Sequence, residues 1–197
     1  MSLALGDRRT GQQSQVRPGL LAVVVGACAL VFSALYFASD LIELVQGGFS
    51  PRQLWLTLLA EAAVPLFVVG LARVQQPLLG PLGRCSALAY AASYVAFTGT
   101  VVYALVQHTP DYTRLSKDLG PSLLVPGAVM VFAGIGFALA VWRAHLLPRW
   151  TAVALGTGVV LVAAAQSLPD GVLLAAAGIR DLGFAGMGAA LLAAKRC

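Results

Sequence analysis

The sequence predicts an all-α protein: a bundle of six transmembrane helices with both termini in the cytoplasm. Three observations predict it. The 197 residues are 59% hydrophobic and only 11% charged, with a mean hydropathy of +0.84, whereas a soluble domain carries about 25% charged residues. The apolar residues fall into six runs, each close to the ~20 residues that a bilayer requires. The basic residues crowd one side of those runs, which sets their orientation.

Taken in order, residues 1–18 are polar and carry Arg8, Arg9 and Arg17, as expected of a short cytoplasmic tail. Residues 19–197 then form a single transmembrane domain. The first apolar run exceeds the 7–15 residues of a signal-peptide core, so it is expected to stay as an anchor. The spans are expected at 19–46, 52–73, 84–108, 120–143, 150–168 and 171–194. Breakers divide them: Gly47-Gly48-Phe49-Ser50-Pro51, Gln75-Gln76-Pro77 with Gly80-Pro81, the polar stretch His108 to Asp118, Pro148-Arg149, and Pro169-Asp170-Gly171.

Arg8, Arg9, Arg17, Arg73, Arg84, Arg143, Arg149, Lys195 and Arg196 then share one side, against Arg52, Arg114 and Lys117 on the other. By the positive-inside rule both ends face the cytoplasm. Trp55, Trp142 and Trp150 lie near span ends, where interfacial tryptophans belong. Small-residue sites at Gly186/Ala190/Ala194, Gly156/Gly158 and Gly127/Gly134/Gly136 offer close helix approach. The bias toward Ala, Leu, Gly, Val and Arg, with Asn absent, suggests a GC-rich bacterial coding sequence and a multi-pass protein of the inner (plasma) membrane.

The net charge of +5 is spent on topology, so nucleic acid is not an expected partner; membrane lipid and a lipophilic small molecule are. Cys28, Cys85 and Cys197 form no CxxC pair, and His108 and His145 fall at opposite membrane faces. No metal and no cofactor is expected.

Against this background five ionisable residues lie inside apolar spans: Asp40, Glu43, Glu61, Arg180 and Asp181. A charge at bilayer depth costs about 2.5–3.5 kcal/mol on insertion scales, so such groups face a protein interior and are candidates for function. At 1.5 Å per residue, Glu61 lies about 15 Å and Asp181 about 16 Å from the outer ends of their spans, with Asp40 about 10 Å down. Glu61, Asp181 and Asp40 are therefore the candidate catalytic acids. Ser33, Tyr36, Asp40 and Glu43 share one stripe of the first span, and Thr57, Glu61 and Pro65 one stripe of the second. Pro65 lacks an N–H and so frees the Glu61 carbonyl. Tyr36, Glu43, Thr57, Tyr103, Gln107 and Arg180 are the candidate substrate-binding residues of an outward pocket under the 109–119 loop. Neighbours on a helix point about 100° apart, which argues against pairing of Arg180 with Asp181 and for a counter-charge across the bundle. Tyr90 and Tyr94, one turn apart, read as packing.

The stretch Trp142-Arg143-Ala144-His145-Leu146-Leu147-Pro148-Arg149-Trp150-Thr151, running into an Ala/Gly/Val helix, resembles the fourth-to-fifth helix connector of uncharacterised actinobacterial six-helix membrane proteins, the DUF4386-like group. That resemblance implies a fold and no activity. The placing of Glu61 in the second span and Asp181 in the last is similar to that of the acids of membrane-bound terpene cyclases, which protonate an epoxide or alkene; this implies acid catalysis on an isoprenoid. Those enzymes have seven spans and an aromatic beside the second-span acid, whereas this chain has six and reads Ala60-Glu61-Ala62. The size and six spans also match the substrate-binding subunits of vitamin importers.

Three functions remain open on the residues alone. One is acid–base catalysis on a lipophilic substrate, such as isoprenoid cyclisation or isomerisation. Another is a small-solute or proton-coupled carrier or binding subunit, and the third is a non-catalytic accessory subunit. GxSxG, P-loop, HExxH and nucleotide-binding glycine motifs do not occur.

Overall fold

A computed structural model describes residues 19–194. Its six long helices are α1 (Leu20–Gln46), α2 (Pro51–Val74), α3 (Gly80–Gln107), α5 (Leu124–Ala144), α6 (Arg149–Ala164) and α7 (Asp170–Ala193). A short α4 (Tyr112–Leu119) and a 3₁₀ turn (Gly120–Leu123) lead into α5, and a second 3₁₀ turn (Ala165–Ser167) follows α6. All six long elements are long and apolar enough to cross a membrane, α5 and α6 each together with the short helical stretch next to it. The chain is a multi-pass membrane protein.

Local chemistry explains the ends. Gly47 adopts a left-handed conformation (φ 69°) and closes α1, the role glycine fills without a Cβ clash. Ser50 caps α2 by accepting from the Gln53 N–H, with Pro51 at the first position, where a missing N–H costs nothing. Asp111 caps α4 through the Arg114 N–H at 2.8 Å.

Two boundaries depart from the sequence reading. The third span starts at Gly80, because Pro81 sits in the first turn, where proline is tolerated. The polar stretch before the fourth span is not plain loop. Residues 112–119 form the amphipathic α4, with Leu115 buried and Arg114, Lys117 and Asp118 turned outward.

The helices form a closed ring. α1 packs on α2, α2 on α3, α3 on α5, α5 on α6, α6 on α7, and α7 returns to α1. Each therefore has two flanking partners and an inner face. The ring fills with Phe67, Leu71, Tyr90, Tyr94, Phe137, Leu155, Phe184 and Met187, all essentially inaccessible. Phe67 meets Phe184 edge-on at 5.2 Å, and Tyr90 meets Tyr94 likewise at 5.2 Å. The two tyrosines thus pack as expected.

Small residues set the tightest contacts. Gly26 of α1 and Gly188 of α7 face each other's backbones, an approach not anticipated from the sequence. At Gly158 of α6 a Cβ would fall on the backbone of Arg180. Of the expected small sites, Gly134, Gly136, Gly158 and Gly186 make close contacts, while Gly127 faces open space.

Candidate functional site

The ring brings the deep ionisable residues of three helices together. Tyr36 of α1 lies ten residues before Gln46, and Glu61 of α2 ten residues after Pro51. Both sit about 15 Å from the same end of the bundle. At that level the Tyr36 hydroxyl donates to Glu61 Oε1 at 2.8 Å. The guanidinium of Arg180 lies over the Tyr36 ring, 4.7 Å from its centroid. Such stacking is favourable for an Arg withdrawn from water. Arg180 Nε donates to Asp181 Oδ1 at 2.9 Å.

This last contact corrects the expectation that sequence neighbours on a helix diverge too far to pair. The Arg side chain is long enough to fold back along α7. With its ring-facing side packed on Tyr36, the nearest anion is its own neighbour. Arg180, Asp181 and Glu61 are each only 6% exposed, so the arrangement is an ion pair plus a hydroxyl-bound carboxyl group inside the bundle. A buried ion pair needs good geometry and further hydrogen bonds to offset its desolvation. Here the hydrogen bonds are incomplete. Glu61 Oε2, Arg180 Nη2 and Asp181 Oδ2 are buried with no partner among the described residues. The Tyr90 hydroxyl and the Ser33 hydroxyl are also buried and unpaired, and Tyr90 packs 6.1 Å from Phe184, one turn along α7 from Arg180.

Asp40 sits one turn from Tyr36 toward the bundle end and is partly buried. It therefore belongs to the outer edge of the same cluster. Further out a polar network joins α1 to α2. Gln53 Nε2 lies 3.0 Å from Thr57 Oγ1, 3.2 Å from Glu43 Oε2 and 3.3 Å from Ser39 Oγ, while Ser39 and Thr57 share a hydrogen bond at 2.6 Å. Gln53 and Ser39 were missed by the sequence reading. The available signal was that a Gln two residues into an apolar span needs a partner, and Ser39 lies one position off the polar stripe.

The sequence reading placed Tyr103 and Gln107 in the same pocket as the acids; the structure separates them. They line two adjoining clefts beside α4. One, of about 270 Å³, lies between α3 and the start of α5 and is bounded by Phe97, Gly99, Tyr103, Leu123 and Pro126 among others. The other, of about 370 Å³, is lined by Tyr103, Gln107, His108, Thr109, Arg114 and Asp118 among others. Neither is lined by Asp40, Glu43, Glu61, Arg180 or Asp181. Thr57 and Glu43 stay with the α1–α2 network.

Chemically, the core cluster can hold and exchange protons. Asp181 is compensated by a cation, whereas Glu61 has only a neutral hydroxyl on it. The two carboxyl groups thus sit in opposite environments, the arrangement that separates acid from base roles. No protein-family model, no curated protein and no solved structure matches this chain, so the reading of the site rests on its geometry.

Proposed function

We propose that this protein is a plasma-membrane enzyme that performs acid–base chemistry on a lipophilic substrate, with Glu61 as the acid and Asp181 as the base. The observation that carries it is the pairing at the ring's centre. Glu61 is bound by Tyr36 and has a second oxygen free of partners among the described residues. Asp181 is held by Arg180. A buried carboxylate without a counter-charge is costly, while its neutral form needs only a hydrogen bond; Glu61 therefore carries the proton. Protonation of an alkene or epoxide by Glu61 would start a cation, and proton loss to Asp181 would end it. Such a step fits cyclisation or isomerisation of an isoprenoid.

A second reading, proton-coupled carriage, is supported by one further observation. Glu43, Asp40 and Tyr36 succeed each other inward at about one helical turn per step, and Tyr36 meets Glu61 across to α2 at the same depth, a ladder from the bundle end to its centre. In either reading the Leu20 and Ala193 ends face the cytoplasm, by the excess of basic residues there.

Glu61→Gln tests the proton. The amide keeps the size and can still meet Tyr36, so the folded bundle should persist. An infrared carboxylic C=O band present in the wild type should vanish in the variant. Turnover or proton-coupled uptake should fall by about 10²–10⁴-fold, the usual worth of a general acid. An unchanged spectrum would show that Glu61 holds no proton. Product formation in reconstituted vesicles supports the enzyme, and solute accumulation supports the carrier. Reporter fusions after Ser50, Thr113 and Pro169 should all report the outside; a cytoplasmic signal at any of them overturns the orientation.

A further inference from the structure

The two clefts beside α4 are ordered along the membrane normal. The apolar one spans Ala96 to Tyr103 on α3 and Leu119 to Pro126 on the other side. The polar one continues it past the end of α3, from Tyr103 to Asp118, and Tyr103 lines both. Ala96 lies eleven residues before Gln107, so the apolar cleft reaches about 16 Å inward from the helix end. In the polar cleft, Thr109 is 5% exposed, and its Oγ1 is buried with no partner among the described residues. A buried hydroxyl left unpaired costs free energy, and Thr109 is one of the residues that line this cleft. Arg114 and Asp118, an ion pair at 3.2 Å, set a cation and an anion on the same rim.

We propose that these clefts form one binding site for a zwitterionic phospholipid, with an acyl chain between α3 and α5 and the headgroup beside α4. The phosphate meets Arg114 and the Thr109 hydroxyl, and a primary ammonium meets Asp118. Each cleft lies near or within the ~300–1,000 Å³ typical of small-molecule sites, and polar above apolar is the order an amphiphile takes in a bilayer. The site is independent of the Glu61 cluster, and the proposal does not rest on the enzymatic reading.

The test is native mass spectrometry of the full-length protein, titrated with phosphatidylethanolamine, phosphatidylcholine and phosphatidylglycerol bearing the same acyl chains. Phosphatidylethanolamine should bind about tenfold more tightly than the other two, the worth of one charge-assisted hydrogen bond. Asp118→Asn should erase that preference. Arg114→Gln and Thr109→Val should weaken all three lipids. Gly99→Leu should also weaken all three by filling the apolar cleft; a Cβ at Gly99 meets nothing within 4 Å, so the fold tolerates it. Equal affinities across lipids and variants would mean unspecific annular contact and overturn the proposal. Glycerophosphoethanolamine binding as tightly as the lipid would overturn the acyl-chain half of the site.

Discussion

The α1–α2–α7 side of the ring and the α3–α5 side solve opposite problems at the same end of the bundle. On the first side, charged groups at depth pull the helices shut. Arg180 binds Asp181 and stacks on Tyr36, Tyr36 binds Glu61, and Gly158 lets α6 press against the Arg180 backbone. On the second side, Ala96 and Gly99 leave a void with no polar group strong enough to close it, and the cleft stays open. Burying charge demands partners on every side. Small apolar residues demand nothing and leave space. At these two places a glycine does opposite things: Gly158 marks a contact and Gly99 a vacancy.

The largest expected effect comes from removing the cation. Arg180→Met leaves Asp181 buried without compensation and should destabilise by about 3–5 kcal/mol. Arg180→Met with Asp181→Leu should recover most of that loss. Thermal unfolding in detergent micelles measures both, and a double variant as unstable as the single one would break the view of an isolated pair.

The glycines sharpen the comparison next. Gly158→Ala should cost about 1–3 kcal/mol by overpacking α6 on α7. Gly99→Leu should be neutral or stabilise by about 0.5–1 kcal/mol, because it removes an interior helix glycine into open space. If both shifted the melting temperature in the same direction, the contrast between the two sides would be wrong.

The last variant, Tyr36→Phe, touches a single hydrogen bond. It leaves the fold packed but takes the donor from Glu61 Oε1, costing about 1–3 kcal/mol for the orphaned carboxyl oxygen. The infrared band of the Glu61 carboxylic acid should shift on losing that hydrogen bond; a band identical to wild type would place the bond elsewhere.

Much of the fold was legible in the chain. The span at 19–46 differs from α1 by one residue at its start, and that at 171–194 from α7 by one residue at each end, because hydropathy and helix-ending Gly and Pro residues are local signals. α4 escaped because it is only eight residues long and mostly polar, so that Tyr112, Leu115 and Leu119, though at helical spacing, form no apolar run. Of the site, Glu61, Asp181, Arg180, Tyr36 and Asp40 could be singled out, since an ionisable group in an apolar run is conspicuous by composition alone. Gln53 and Ser39 were not, because uncharged polar residues near span ends are common and only their mutual distance marks them.

By itself, then, the sequence determined that the protein lies in a membrane as six helices and which residues are too polar for lipid. Both follow from transfer free energies, which each residue contributes without reference to the others. The tertiary structure decided the partners. It closed α7 onto α1, turned Arg180 back onto Asp181 while stacking it on Tyr36, and placed Tyr103 and Gln107 in clefts lined by other residues. Those choices depend on ring order and on side-chain reach across helix interfaces, which no single span encodes.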